Sequence, residues 1–388
     1  MSRDATSPTA TAGKAGSLPP MDFPSRIRRL REKLVEEKVD ALLVTRLQNI
    51  RYLTGFTGSA GLLWVSADEL LFVTDGRYAE QSEQEIGAAG VDVQIEITSS
   101  EQREIVSARG AGARRIALEA HDVSWSSQRK IAAEWFPSAE LVPSEGWIER
   151  LRQVKDPGEV ARIRAAASIA DRALESCVGA LDEHPTETEF ALELDFSMRR
   201  LGADEPAFAT IVASGPNAAK PHARPTDRRI GPGDVVVIDF GATVDGYRSD
   251  MTRTFLLDGA SGELQRMFAV VSEAQAAGVD TVRAGVTARD VDAACRRVID
   301  SAGWGDAFVH ATGHGLGLDI HEDPRISSRS EDVLAEGMTV TVEPGVYVAG
   351  VGGVRVEDTV LVGSDGCVPL TSAPKTPQPR PSATAGRG

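Results

Sequence analysis

An aspartate interrupts an apolar run that otherwise has to be buried. The run is Val235-Val236-Val237-Ile238-Asp239-Phe240-Gly241, and it reads as a strand. A turn follows near Asp245-Gly246, a pair that favours a two-residue hairpin. The chain then returns as Arg248-Ser249-Asp250-Met251-Thr252-Arg253-Thr254-Phe255. With Asp245 and Gly246 as the turn, Asp239 faces Thr252, and Asp250 lies on the same side of the ribbon. Like charges that close are unfavourable unless a cation lies between them. A second acidic hairpin comes later, Met338-Thr339-Val340-Thr341-Val342-Glu343-Pro344-Gly345 and then Gly353-Val354-Arg355-Val356-Glu357-Asp358-Thr359-Val360. Alternation puts Val340 and Val342 on one face and Thr341 and Glu343 on the other. Arg355 and Glu357 likewise share a face opposite Val354 and Val356. A carboxylate buried in such a strand is costly unless it is paired, so these residues read as metal ligands or as partners of a base.

Between the two hairpins lies Phe308-Val309-His310-Ala311-Thr312-Gly313-His314-Gly315-Leu316-Gly317-Leu318-Asp319-Ile320-His321-Glu322, which holds three of the chain's six histidines. Three imidazoles among small, flexible residues make a poor core and a good approach to an ion or substrate. The pair His321-Glu322 does not open a helical zinc motif, because Arg325 takes the second histidine's place and Pro324 breaks a helix. The inventory is therefore Asp239, Asp250, His314, Glu343 and Glu357. Four carboxylates and one imidazole are too acidic for a structural zinc site. They suit two hard or borderline divalent ions sharing bridging carboxylates, which polarise a carbonyl and acidify a bound water. That chemistry is hydrolytic.

These segments resemble the aminopeptidase P and prolidase branch of the pita-bread metallopeptidases. Five signatures stand in the right order: Val237-Ile238-Asp239-Phe240-Gly241, Ser249-Asp250-Met251-Thr252-Arg253-Thr254, Gly313-His314-Gly315-Leu316-Gly317, Val342-Glu343-Pro344-Gly345 and Val354-Arg355-Val356-Glu357-Asp358. The likeness runs from about Met21 to about Thr371. It implies that Asp250 and Glu357 bridge both ions, that Asp239 binds one, and that His314 and Glu343 complete the other. It further implies manganese as the usual metal, with cobalt or zinc as substitutes. Glu343 corresponds to the proton-transfer residue, and His222 and His321 to the residues that orient substrate and stabilise the oxyanion. His310 and Arg355 correspond to the wall for proline. The implied reaction removes an N-terminal residue that precedes proline, and the implied assembly is a homodimer. The segment Thr54-Gly55-Phe56-Thr57-Gly58-Ser59-Ala60 is similar to aminopeptidase P, which favours longer peptides over the dipeptides of a prolidase. A metal-free creatinase-type hydrolase and a non-catalytic binding protein on the same fold are the competing classes, and a complete acidic ligand set speaks against both. Methionine aminopeptidase lacks the extra N-terminal domain.

The 388 residues are long enough for two domains. The formal net charge of -15 argues against nucleic acid or an anionic membrane as partner and suits a cytoplasmic enzyme. Cys177, Cys295 and Cys367 are few and scattered, as in a reducing compartment. No run is apolar and long enough to span a bilayer. The fold expected is α+β. Residues 1–20 and 372–388 read as disordered tails. Residues 21–145 form a small α/β, creatinase-like N-terminal domain, and 150–371 form the pita-bread catalytic domain, with a linker near Ser144 to Arg152. Ile27, Leu30 and Leu34 predict the first helix. Asp156-Pro157-Gly158-Glu159, Thr186 with Glu189, and Thr287 with Asp290 predict the starts of three more. Gly202 and Gly303 stand where two of them end. His121 and His184 lie outside every motif and are assigned to the surface.

Overall fold

The structure is a computed structural model that describes residues 18–379. The expected tail 1–17 and the end 380–388 lie outside the described residues. Six strands build the N-terminal sheet: β1 Ala41–Val44, β2 Leu62–Ser66, β3 Leu70–Thr74, β4 Gln94–Ile97, β5 Arg115–Glu119 and β6 Glu140–Ser144. Their order is β4-β3-β2-β1-β5-β6. Helices α1 (Phe23–Glu37), α2 (Leu47–Thr54), α3 (Ala79–Ala89), α4 (Gln102–Arg109) and α5 (Trp125–Lys130) surround it. Sequence patterning finds every strand except β4, whose residues are exposed or half-buried and so carry no apolar signal.

The expected linker is itself a helix, α6 (Trp147–Gln153), with Trp147, Ile148 and Arg152 buried. Its docking is tertiary, which is why local composition reads it as a connection. Next come α7 (Pro157–Cys177) and α8 (Glu187–Arg200), each opened by the capping box expected of it. Between α8 and α9 (Gly262–Thr281) lie β7 Glu205–Pro206, β8 Ile211–Ser214, β9 Val235–Phe240, β10 Ala242–Val244, β11 Tyr247–Arg248 and β12 Met251–Leu256. After α10 (Ala288–Ser301) come β13 Gly313–Gly315, β14 Glu322–Ile326, β15 Thr339–Val342, β16 Gly345–Val348, β17 Gly352–Arg355, β18 Asp358–Val362 and β19 Cys367–Pro369. Gly202 and Gly303 adopt φ of 106° and 86°, one residue past the caps of α8 and α10.

Alternation along β9 sets the layers. Val236, Ile238 and Phe240 pack with α7 and α8. Val235 and Val237 pack with α9, α10 and the second hairpin. Asp239 shares the face of Val235 and Val237, so it points toward the second hairpin. The first hairpin has the predicted register, with Thr252 opposite Asp239 and Asp245 and Gly246 both at positive φ, as a type I′ turn requires. The second keeps one register as well, pairing β15 with β18 and β16 with β17. In both hairpins the regular ladder lapses at the acidic residues. Ser249 and Asp250 lie outside strands, and so do Glu343, Pro344, Val356 and Glu357.

Gly241 is forced by the first of these lapses. A Cβ there would lie 1.9 Å from the carbonyl oxygen of Ser249. Gly241→Ala is expected to lower stability by about 1–3 kcal/mol, read as a lower urea midpoint. An unchanged midpoint would mean that the ribbon tolerates spreading next to Asp250.

The two domains share a core. Leu318 and Tyr247 of the C-terminal part pack with Leu53, Phe56 and Trp147. Ordered chain also runs past Ser372, where the tail was expected to begin. Ser372 and Ala373 donate backbone N–H groups to Asp171, Arg253 Nε donates to the Ala373 carbonyl, and Lys375 Nζ reaches Asp358 at 2.6 Å. Polar partners hold this strap, so its composition resembles that of a free tail.

Candidate active site

All nine residues singled out from sequence line one cavity of about 350 Å³: Asp239, Asp250, His314, Glu343, Glu357, His222, His310, His321 and Arg355. Ligand atoms of Asp250, His314 and Glu357 lie within 4.8 Å of one another. Each comes from a different element: the lapse before β12, strand β13, and the lapse between β17 and β18. His121 and His184 are exposed, away from the cavity.

The polar bookkeeping of this cavity is incomplete without cations. Asp239 Oδ1, Asp250 Oδ1 and Glu357 Oε1 are buried with no hydrogen-bond partner. Buried carboxylate oxygens are otherwise satisfied almost without exception. Thr252 Oγ1 donates to Glu357 Oε2 at 2.7 Å, and Arg355 pairs with Asp239 Oδ2. Burial, reinforced by the neighbouring carboxylates, pushes Asp250 and Glu357 well above the usual carboxylate range. Burial also raises Asp239, with Arg355 opposing.

His314 carries the same message. Its Nδ1 is 2.9 Å from the Gly315 carbonyl, an acceptor, so Nδ1 holds the proton in the neutral ring. Nε2 then turns a lone pair toward Glu343 Oε1 at 3.3 Å and Asp250 Oδ2 at 3.6 Å. Three electron-rich atoms facing one point need a cation there. Oxygen and imidazole donors, with no thiolate, fit a hard or borderline divalent ion.

Around these groups stands a second layer. His321 stacks edge-on against His314, ring centroids 4.4 Å apart. Burial, helped by the Arg325 charge, lowers its pKa to about 4, so the ring is neutral at pH 7. Arg355 is fully engaged: Nε donates to Thr252 Oγ1, Nη1 to the Pro221 carbonyl and to Tyr347 Oη, and Nη2 to Asp239. His310 Nδ1 donates to the Ala311 carbonyl, and Nε2 accepts from Tyr347 Oη at 3.0 Å. Tyr347 thus joins Arg355 to His310, and sequence reading missed it. Its signals are two glycines: Gly353, opposite it on the hairpin, where a Cβ would lie 2.7 Å from the tyrosine ring, and Gly345, where one would lie 2.5 Å from the hydroxyl. Phe208, Ile211, Ile320 and Arg325 also line the cavity and were likewise missed, because nothing local distinguishes them.

A family profile decides the kinship. Metallopeptidase family M24 matches residues 161–364, more than half of the chain. The chain belongs to metallopeptidase family M24. The Creatinase/Prolidase N-terminal domain matches residues 26–154, so the two domains are those of a pita-bread metallopeptidase, a metal-dependent hydrolase. An uncharacterized peptidase of Bacillus subtilis, YqhT, is 39% identical over 350 residues, 90% of this chain and 98% of that protein. A structure named Xaa-Pro dipeptidase from Bacillus anthracis superposes with a TM-score of 0.87 at 37% identity, over 92% of this chain and 99% of that one. A structure named X-Pro aminopeptidase from Thermotoga maritima superposes with a TM-score of 0.83 at 35% identity, over 90% and 99%. Among the described residues of this M24 peptidase, no helix is long and apolar enough to cross a membrane.

Proposed function

We propose that this M24 peptidase is an Xaa-Pro exopeptidase working with two divalent ions, manganese first among them. The carrying observation is the single cavity in which five acidic or imidazole ligands converge and three buried carboxylate oxygens lack partners. Asp250 and Glu357 would hold both ions, Asp239 one, and His314 with Glu343 the other. Bound there, the ions supply Lewis-acid polarisation of the scissile carbonyl and acidify water. Glu343 carries a proton from the attacking water toward the leaving proline nitrogen. His222 and His321 offer ring N–H groups to the oxyanion. His310 and Arg355, joined at Tyr347, stiffen the wall assigned to proline.

Peptide length is the finer question. The Thr54–Ala60 segment that resembles aminopeptidase P is explained by packing. Phe56 lies against Phe72 and Tyr78, Ser59 bonds Tyr78 Oη, and none of the segment's residues lines the cavity. Its resemblance alone favours the longer peptide, and the two named structures are split. Arg325 favours the dipeptide. Arg325 lines the cavity, is exposed, and its guanidinium has no ion-pair partner among the described residues. A dipeptide's C-terminal carboxylate, next to the scissile bond, is the group such a fork recognises.

The test uses metal-stripped protein on Xaa-Pro dipeptides and Xaa-Pro-Yaa tripeptides, before and after adding Mn²⁺. Metal-restored cleavage is expected for both, with the dipeptide preferred; no cleavage with any divalent ion rejects the peptidase reading. Arg325→Ala is expected to raise KM for dipeptides about tenfold, the loss of one charged hydrogen bond, and to leave tripeptides nearly unchanged. An equal effect on both would return the assignment to a longer-peptide aminopeptidase.

A further inference from the structure

We infer that Glu187 is a positioning residue for His222: it ties together both ends of the loop that presents the histidine to the cavity. The oxyanion role of His222 rests on the function proposed above; the anchoring does not. His222 is exposed and lies between Ser214 and Thr226, in chain with no regular structure beyond the short turn Gly215–Ala219. An exposed ring on such a loop needs an anchor if it is to meet a developing charge.

Glu187 supplies that anchor from the first turn of α8. It is completely buried. Oε1 accepts from Ser214 N and Ser214 Oγ, both at 2.7 Å, where the loop begins. Oε2 accepts from Thr226 N at 3.0 Å and Thr226 Oγ1 at 2.6 Å, where the loop returns. Asn217 Nδ2 bridges the two oxygens at 3.2 and 3.1 Å. The helix backbone adds two bonds, from Glu187 N to the Arg228 carbonyl and from Thr188 N to the Thr226 carbonyl. A carboxylate offers about four lone-pair sites: the Ser214 and Thr226 donors fill them, and Asn217 is shared between the two oxygens. Near its tip the loop is braced again, where Arg355 Nη1 donates to the Pro221 carbonyl. The residue before His222 is thereby tied to the guanidinium that holds Asp239.

Glu187→Gln keeps the shape and places an amide N–H₂ against backbone donors, which opens one leg of the loop. With only six histidines, ring-labelled protein gives a readable histidine NMR spectrum, and His222→Ala assigns the signal. In Glu187→Gln the His222 resonances are expected to shift or broaden while His121, in the other domain, stays in place. Mn²⁺ affinity should stay within about twofold, because no proposed ligand lies on this loop. Specificity, kcat/KM, should fall about 10²-fold, the cost of misplacing a group by about 1 Å. The double variant with His222→Ala should be no slower than His222→Ala alone. Additive losses, an unmoved His222 signal, or weakened metal binding would each overturn the assignment. Thr226→Val, which removes one donor on the exposed return leg, should move the same signal in the same direction and serves if the glutamine variant does not fold. If the parent cleaves no peptide, the proposed function fails, and the NMR arm still decides the anchoring.

Discussion

Asp250→Asn is expected to abolish divalent-metal binding and yet to melt at a higher temperature than the metal-free parent. Without cations, Asp239, Asp250 and Glu357 are buried together, and burial and mutual repulsion hold Asp250 and Glu357 far from their ordinary ionisation. An asparagine keeps the shape, has no carboxyl that burial must hold out of its ionised form, and offers N–H groups to its neighbours. The parent should regain the advantage only when loaded. A hundredfold excess of Mn²⁺ over its Kd stabilises by about 2.7 kcal/mol, and the variant should show no such shift. Thermal scans of both proteins in chelator and in Mn²⁺ make the comparison. A variant that retains the metal-dependent shift, or a parent that lacks one, rules out Asp250 as a ligand. Activity should follow metal binding, returning to the parent on reloading and not to the variant.

Arg152→Met is expected to lower global stability by about 3–5 kcal/mol, the usual cost of breaking a buried ion network, and to slow turnover through His321. Arg152 is 2% exposed. Its Nη1 donates to Asn49 Oδ1 at 2.8 Å, and its Nη2 pairs with Asp319 and with Glu322 Oε1 at 2.6 Å. From the N-terminal domain, Arg46 reaches Asp319 at 2.8 Å, and Lys155 reaches Glu322 at 3.1 Å. His321 sits between the two acids so gripped. Burial pushes Glu322 up, but the Lys155 and Arg152 charges pull harder and hold it at about 2. A folded pKa below the unfolded one stabilises above the unfolded value, near 4.5, and that stability drains away as pH falls from about 5 toward 2. The parent should lose stability across that acid window, and Arg152→Met should lose less, having less to lose. Urea titrations at several pH values measure both slopes. Parallel slopes would show that Arg152 does not govern Glu322. A normal kcat in the folded variant would show that the network does not place His321.

Much of this site was legible in the sequence because strands alternate and hairpins register. Once Asp245-Gly246 fixed the turn, the position of Thr252 opposite Asp239 followed by counting. The capping boxes at Asp156 and Thr186 were equally local. What stayed hidden depends on distant chain. Tyr347 matters because Gly353, across the hairpin, leaves it room. Arg325 joins the cavity lining because β13 and β14 bring it beside His314. α6 looked like a connection because its buried partners lie in both domains. Lys375 looked like part of a free tail because its partner, Asp358, is 17 residues back, on the strand that follows Glu357.

That strap bears on how the cavity responds to force. Arg253, Asp358, Ala373, Lys375 and Pro377 interlock behind the strands that carry Asp250 and Glu357. Residues 373–377 therefore brace, from behind, the strands that carry two of the proposed ligands. A load on this strap, or a proteolytic cut within it, acts on the cavity from behind.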